Sequence, residues 1–523
     1  MKLSGRMAII SGPILFIAVL FYWPLGRIIR LGLNHETLSQ IATHRVVGII
    51  WFTIWQAALS AGLALIFGLP GAYLLYAKRF PGQRILRALI TVPFVLPTIV
   101  VAIAFTSISN LPIIGKLLFG YSLIPAIISA HIFLNYSVIV RIVGSLWSSL
   151  DETLEDAAQI DGAGRFKTLI SITLPQLKGA IIGAVTLVFL YCLASFGIIL
   201  VLGGGLINSI ETEIYNSATQ YLNLPKTSGL ALIQIAITIG LFFIAQRFTS
   251  GRSMTSWSNL GRNQKRVDRR DWAAILPSFL FSILILAVPV GTIVLRSFKS
   301  ESVFTLLNYR NLVSNGARNI LSISVGQAAL NSLRNLVIST LLATGLGLLV
   351  SYLLSRSKHR SGFLEILFQL PIGVSSVVLG FGYLITFSDG IFPLRRSFLV
   401  TPLVQALLAL PLVIRIIYPA LKAIDHEILD AAQVDSASNF QIWRHIEFPL
   451  SNQAITTAIS YAAIISIGEF GAASFLAYGD QSTLPTVLYQ LISHPGAINY
   501  GMAMAASTLL IAATLFVVLV TSF

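Results

Sequence analysis

"DAAQIDGAGRFKTLISITLP" fills Asp156 to Pro175, and "DAAQVDSASNFQIWRHIEFP" fills Asp430 to Pro449. The phrases are polar and regularly punctuated, and they lie 274 positions apart. The same offset joins Arg141 to Arg415, Asp151 to Asp425, Ser195–Gly197 ("SFG") to Glu469–Gly471 ("EFG"), and Tyr215 to Tyr489. Between 151–175 and 425–449, ten of 25 positions are identical. Earlier in each half the offset grows slightly, with Pro93 matching Pro371 and "AYLL" at Ala72 matching "SYLL" at Ser351. The chain is a tandem repeat, and its fold must be one that can be built twice.

The surroundings of the two phrases set the solvent. Of 523 residues, 55% are hydrophobic and 11% charged, with a mean hydropathy of +0.83. A soluble chain would carry roughly 25% charged residues. Continuous apolar runs of about 20 residues cross a bilayer as helices, and the sequence predicts twelve: 8–28, 49–75, 86–108, 122–146, 178–202, 228–247, 272–295, 329–355, 363–388, 398–420, 451–477 and 500–522. The runs are continuous rather than alternating, which excludes a transmembrane β-barrel. Lys2 and Arg6 precede the first run and no A-x-A-like site follows, so it reads as a retained anchor rather than a cleaved leader.

The net charge of +15 belongs to loops at a membrane surface, not to a nucleic-acid partner. Basic residues concentrate in the loops that a cytoplasmic N-terminus would place inside, which fixes the expected orientation and puts both polar phrases in the cytoplasm. The segment "RFTSGRSMTSWSNLGRNQKRVDRRDW" (Arg247–Trp272) divides the chain into a repeat over 1–247, a basic cytoplasmic linker over 248–271 and a repeat over 272–523. It reads as a solvated linker that anchors two helices on the inner face, with acidic lipid head groups as the weaker alternative. Each repeat holds six spans, an even number, so both enter from the same side as parallel repeats related by an axis along the membrane normal. The single cysteine, Cys192, cannot form an internal disulfide or a Cys-rich metal site.

Each polar phrase predicts a short helix, a turn and a second helix on the inner surface. Asp151 and Asp425 are placed to accept backbone N–H bonds as N-caps, and Ser149 with Glu152 also fits a capping box. Ala157 and Ala158 present a small, close-packing surface. Gly162 suits the left-handed position that ends a helix. Pro175 is expected to stop the second helix and begin the return to the membrane. Small residues on an exposed helix, duplicated at matched positions, suit a docking surface for something in the cytoplasm.

At these residues the chain resembles the permease subunits of binding-protein-dependent ABC importers, whose loop reads E-A-A, three residues, Gly, nine residues, I-x-L-P. The first copy has Asp156-Ala157-Ala158, Gly162 and Ile172 through Pro175. The second has Asp430-Ala431-Ala432, Ser436 in place of Gly, and Ile446 through Pro449. Ser436 is the larger departure, expected to distort the turn or weaken that copy. The resemblance covers the whole chain in two copies. It implies an all-α polytopic protein of the cell membrane, with about 12 transmembrane helices as two six-helix repeats, each bearing a cytoplasmic coupling helix. It also implies two partners: a homodimeric cytoplasmic ATPase and an extracytoplasmic substrate-binding protein. No G-x-x-x-x-G-K-[ST] loop is present, so ATP and Mg are expected on the separate ATPase, with no cofactor on this chain and no enzymatic role for it.

"ASFGIILVLGGG", "ETEIY" and "SIGEFGAASFLAYGDQSTLPTVLYQ" are similar to the iron(III) and thiamine branch of that family, which implies thiamine, its phosphates or iron(III) as cargo. Glu469 stands within a predicted span, where an ionisable group is costly and faces a cavity or a partner. With Ser195, Phe196 and Phe470 it is the candidate substrate pathway; the alternative is a carboxyl packed between helices. His131 reads as a packed polar residue, and Arg141 and Arg415 as snorkelling or loop-paired groups. The rival function is a twelve-helix secondary transporter without an ATPase, which would need no paired docking loops. A membrane enzyme finds no support in HExxH or nucleophile motifs.

Overall fold

The computed structural model describes residues 11–111, 114–120, 122–249, 265–267, 272–300, 303–356, 361–387 and 397–522. Most of the expected linker, 248–271, lies outside the described residues. Among the described residues, nine helices are long and apolar enough to cross a membrane. They include α1 (Ser11–Gly32), α2 (His44–Ala77), α3 (Ile124–Trp147), α6 (Trp272–Ser297), α7 (Val325–Ser355) and α8 (Val400–Lys422). Two further predicted spans are bent pairs, Gln83–Val95 with Thr98–Ser109 and Leu364–Gly373 with Ser376–Phe387, broken by 98° and 99°. Their matching Pro93 and Pro371 sit at the breaks, where a ring without an N–H ends the ladder. The repeat is therefore kept in detail, down to the kink.

The eleventh predicted span, 451–477, is α10 (Phe448–Gly468) followed by a break. Asn452, Gln453, Thr456 and Thr457 make its first turns polar, and it is not among the nine. Its counterpart is α5 (Leu174–Leu193), and between α3 and α5 lies the short helix α4 (Glu152–Ile160). The corresponding short helix before α10 is α9 (His426–Val434).

Pro175 does not stop a helix, contrary to the sequence expectation. Phe166–Leu193 is one continuous helix. Its turn Leu169–Thr173 widens to π geometry, and Leu174 N–H reaches back five residues to the Leu169 carbonyl. The same happens over Trp443–Glu447 before Pro449, with Phe448 N–H on Trp443, and over Ala18–Tyr22 before Pro24, with Trp23 N–H on Ala18. A proline inside a helix lacks a donor and presses on the carbonyl four residues back. A single wide turn makes room for the ring without breaking the rod.

By contacts, the chain forms two compact units that cut across the sequence repeats. One comprises 1–42, 213–235 and 297–523; the other 43–212 and 236–296. The core of the second unit is α2, α3 and α5, packed through Ala57, Ala61, Ala64, Ile139, Val143, Ala184 and Val188. The first unit repeats this with α7, α8 and α10, through Ala343, Val413, Ile417, Ala458 and Ala462. Small residues let helix backbones approach where lipid supplies no hydrophobic drive between helices. A Cβ on Gly68 would overlap Ile139, and one on the matching Gly347 would overlap Val413.

Each repeat's opening span packs on elements from the other repeat. In the first unit, α1 lies against 364–387: Tyr22 donates to the Leu367 carbonyl at 3.0 Å, Arg27 to Ile385 at 3.3 Å, and Trp23 meets Phe387 edge-on. In the second unit, α6 stacks Phe281 on Phe67 at 4.7 Å and pairs Ser282 with Tyr136 at 2.6 Å. Strand structure among the described residues is two short pairings. Lys78–Arg79 runs parallel to Lys265–Arg266, and Lys299–Ser300 antiparallel to Val303–Phe304.

Candidate functional site: two matched surface loops

The Asp151 loop begins where its carboxylate accepts the Thr153 N–H at 3.0 Å. That bond satisfies one orphan donor of α4 and holds the exposed Asp151 carboxyl below the usual carboxylate range. Ser149 does not cap; its hydroxyl donates to Leu146 at the end of α3. The Asp425 loop is started the same way, with the Glu427 N–H on Asp425 at 3.1 Å.

Both helices end in the same turn. Asp161 N–H bonds Ala157, and Ala163 N–H bonds Ala158 at 2.9 Å, with Gly162 at φ +82° between. In the second copy Asp435 bonds Ala431, Ala437 bonds Ala432 at 3.0 Å, and Ser436 sits at φ +60°. The serine does not distort the turn. It adopts the left-handed conformation that glycine would hold without steric cost, at roughly 1–2 kcal/mol of Cβ strain. The turn survives because five-residue closure and the flanking helices over-determine it.

Within each copy the residues marked by the motif are mostly exposed. Asp156, Ala157, Gly162 and Pro175 are exposed, with Ala158 and Ile172 half-buried. Asp430, Ala431, Ser436 and Pro449 are exposed, with Ala432 and Ile446 half-buried. Around them stand apolar side chains that the motif did not single out. Ile160 is 86% exposed and Phe166 75%; their counterparts Val434 and Phe440 are 84% and 64% exposed. Leu154 and Ile428 form a third exposed pair. The 274-residue offset joins all three pairs, and that identity of type was legible in the sequence. In each copy, large apolar groups held out at matched places make a patch that wants cover.

The candidate pathway residues are placed differently. Ser195, Phe196, Glu469 and Phe470 are all buried. Ser195 is at the break after α5, where its hydroxyl lies 2.8 Å from His131 Nε2, while His131 Nδ1 lies 3.1 Å from the Ser60 hydroxyl. His131 is thus a packed polar residue with a partner at each nitrogen. The first unit rebuilds this chain as Ser339, Ser466 and Gln405, linked by contacts of 2.8 Å. Glu469 is at the break after α10 and accepts the Ala472 N–H at 2.7 Å and the Ala473 N–H at 2.9 Å. Both oxygens therefore serve the turn after the broken span. Phe470 packs on Tyr489, with ring centres 5.7 Å apart. Arg141 lies close to Tyr76, and Arg415 is exposed.

The described residues thus form a multi-pass helical protein with two matched, apolar-fringed loops. The chain belongs to the family of binding-protein-dependent transport system inner membrane components, which matches residues 64–251 and again 343–523. Such a component works with a substrate-binding protein and with an ATPase carried on other chains. The chain is similar to the thiamine transport system permease protein ThiP of Brucella abortus (strain 2308), 27% identical over 84% of this chain and 81% of that one. It is similar to the ThiP of Escherichia coli (strain K12), at 25% identity over 86% and 85%. The ThiP of Haemophilus influenzae is 26% identical over 94% of this chain and 91% of its own length.

Proposed function

We propose that this chain is the whole permease of an ATP-driven importer that receives thiamine or its phosphates from a binding protein and passes them to the cytoplasm. The duplicated Asp-capped helix with its matched exposed apolar residues carries this reading. Two loops of one shape suit two copies of one ATPase, so the partner is a homodimer. The chain then needs no second permease subunit and binds no nucleotide of its own. The basic loops put the N-terminus in the cytoplasm, with the two repeats parallel about the membrane normal. Resemblance to named thiamine permeases along most of the chain supports the cargo. Iron(III) is the competing solute.

The roles follow from the geometry. Asp151 and Asp425 start the docking helices. Ala157, Ala158, Ala431 and Ala432 give the close approach, and Ile160, Phe166, Val434 and Phe440 are buried when the ATPase binds. The use of both Glu469 oxygens by backbone N–H groups favours a bracing role over a charge in the pathway. Glu469→Gln separates the two: near-normal uptake fits bracing, and impaired uptake with normal expression fits the pathway. The function is tested by expressing the chain with its genomic ATPase and binding protein in cells that cannot take up thiamine. Labelled thiamine should accumulate in an ATP-dependent way; accumulation of iron(III) and not thiamine would overturn the cargo.

A further inference from the structure

The two repeats build the same junction between loop and membrane helix with different chemistry. In the Asp151 loop, the Thr173 hydroxyl donates to Glu155 at 2.5 Å, closing the return helix on α4. In the Asp425 loop, the position of Glu155 is Leu429 and that of Thr173 is Glu447, both buried. Glu447 turns instead to Arg356, at the C-terminal end of α7, at 2.9 Å. The Glu447 side chain is 2% exposed and that of Arg356 20%. The Arg356 guanidinium also lies over the Tyr352 ring. The offset that matches Ser351 to Ala72 sets Arg356 against Ala77, which packs on the apolar core of α2, α3 and α5.

So the fold is made once with alanine and threonine and once with arginine and glutamate. A buried ion pair is no cheap source of stability, because desolvation offsets most of the attraction. Here the cost is visible: Arg356 Nε and Glu447 Oε2 are buried with no hydrogen-bond partner. The first repeat reaches the same elements without that cost. The pair therefore calls for a use other than folding, and its position supplies one. Glu447 lies in the π turn that joins the Asp425 loop to α10, and Arg356 ends α7, the helix that packs against α10 and α8 in the core of its unit.

We propose that Arg356 and Glu447 form a strap that ties the Asp425 loop to α7, so that displacement of this loop is delivered to α7 as well as to α10. The Asp151 loop, closed by Glu155 and Thr173, drives α5 without that arm, and the two docking loops do unequal work. The proposal rests on the docking role assigned to the loops. Both residues are positioning residues: they touch no solute and act through the helices that they join.

The test is made on the full chain with its ATPase and binding protein in liposomes. It installs the first repeat's residues in the second, as Arg356→Ala with Glu447→Thr. The double variant should reach the membrane and retain the ATPase like the unaltered chain, because it removes both buried charges together and leaves a threonine hydroxyl that can bond the carbonyl one turn back in its own helix. Thiamine taken up per ATP hydrolysed should fall about tenfold, the size of a coupling term between packed elements. Thr173→Val on the other loop should change that ratio much less. Arg356→Ala alone should lower the amount in the membrane more than the double variant does, since it leaves Glu447 buried and unpaired. Unchanged uptake per ATP in the double variant overturns the strap. So does failure of the double variant to assemble, which would make the pair a folding element. If the unaltered chain retains no ATPase, the docking reading falls and the strap with it.

Discussion

At the scale of single residues, the second repeat tolerates a strained serine where the first has glycine. Ser436 holds φ +60° with no change in the bonds that close the turn. Ser436→Gly should stabilise the Asp425 loop by about 1 kcal/mol, the left-handed cost of a Cβ less the extra freedom of glycine in the unfolded chain. Gly162→Ser should destabilise the Asp151 loop by a similar amount. Amide exchange over α4 and α9 reads both; faster exchange over α9 in Ser436→Gly would contradict the strain. Asp151 makes a second case, through pH. Its carboxyl is held low because it accepts the Thr153 N–H. A depressed carboxyl stabilises the folded form above its unfolded value, near 4, and that contribution is lost as pH falls through the folded value. Asp151→Ala should therefore speed exchange in α4 at neutral pH. The difference from the unaltered chain should vanish in strong acid; a difference independent of pH would rule out the charged cap.

At the scale of elements, the exposed apolar residues can be separated from those that hold the loops together. Ile160 and Phe166 stand out from the loop, whereas Leu429 is 4% exposed. Ile160→Ser with Phe166→Ser should leave the melting of the permease unchanged, yet weaken retention of the ATPase by about 1–3 kcal/mol per side chain, the cost of losing apolar burial at a partner's surface. Leu429→Ser should do the reverse, loosening the Asp425 loop itself. Co-purification and a melt in detergent, run on the same samples, decide between these. A core element gives the complementary case: Gly347→Leu would drive a side chain into Val413 and should destabilise the α7–α8 pair by about 1–3 kcal/mol as overpacking. The matched Gly68→Leu should act alike on α2 and α3.

The helices, the Asp caps and the turn at Gly162 are legible in the sequence, because each depends on a local pattern or on the repeat, whereas the kinks beside Pro93 and Pro371 fall inside runs that read as the unbroken spans 86–108 and 363–388. Pro175 was misread because proline is a stop signal only while the helix keeps α geometry; a π turn carries Pro175 and Pro449 through. The breaks at Ser195 and Glu469 were hidden inside apolar runs, since hydropathy records solvent preference and not backbone direction. Arg356 and Glu447 lie 91 residues apart, and no periodicity joins them.

At the scale of the molecule, the sequence halves and the compact units are different divisions. The sequence reads as repeats over 1–247 and 272–523, and in the structure α1 packs on 364–387 and α6 on α2 and α3. Each opening span thus depends on the other repeat for its partners, and neither repeat expressed alone is expected to reach full helix packing. Expressed together as separate chains, they should reassociate. The central claim is that two matched loops let an external ATPase drive this permease. It is tested most directly by Ala157→Arg combined with Ala431→Arg in liposomes holding the ATPase and the thiamine-loaded binding protein. A long charged side chain cannot enter a close-fitting groove without steric and desolvation cost. The account predicts a permease that folds and inserts normally but neither retains the ATPase nor takes up thiamine on addition of ATP. ATP-dependent uptake at the unaltered rate in this variant would contradict it.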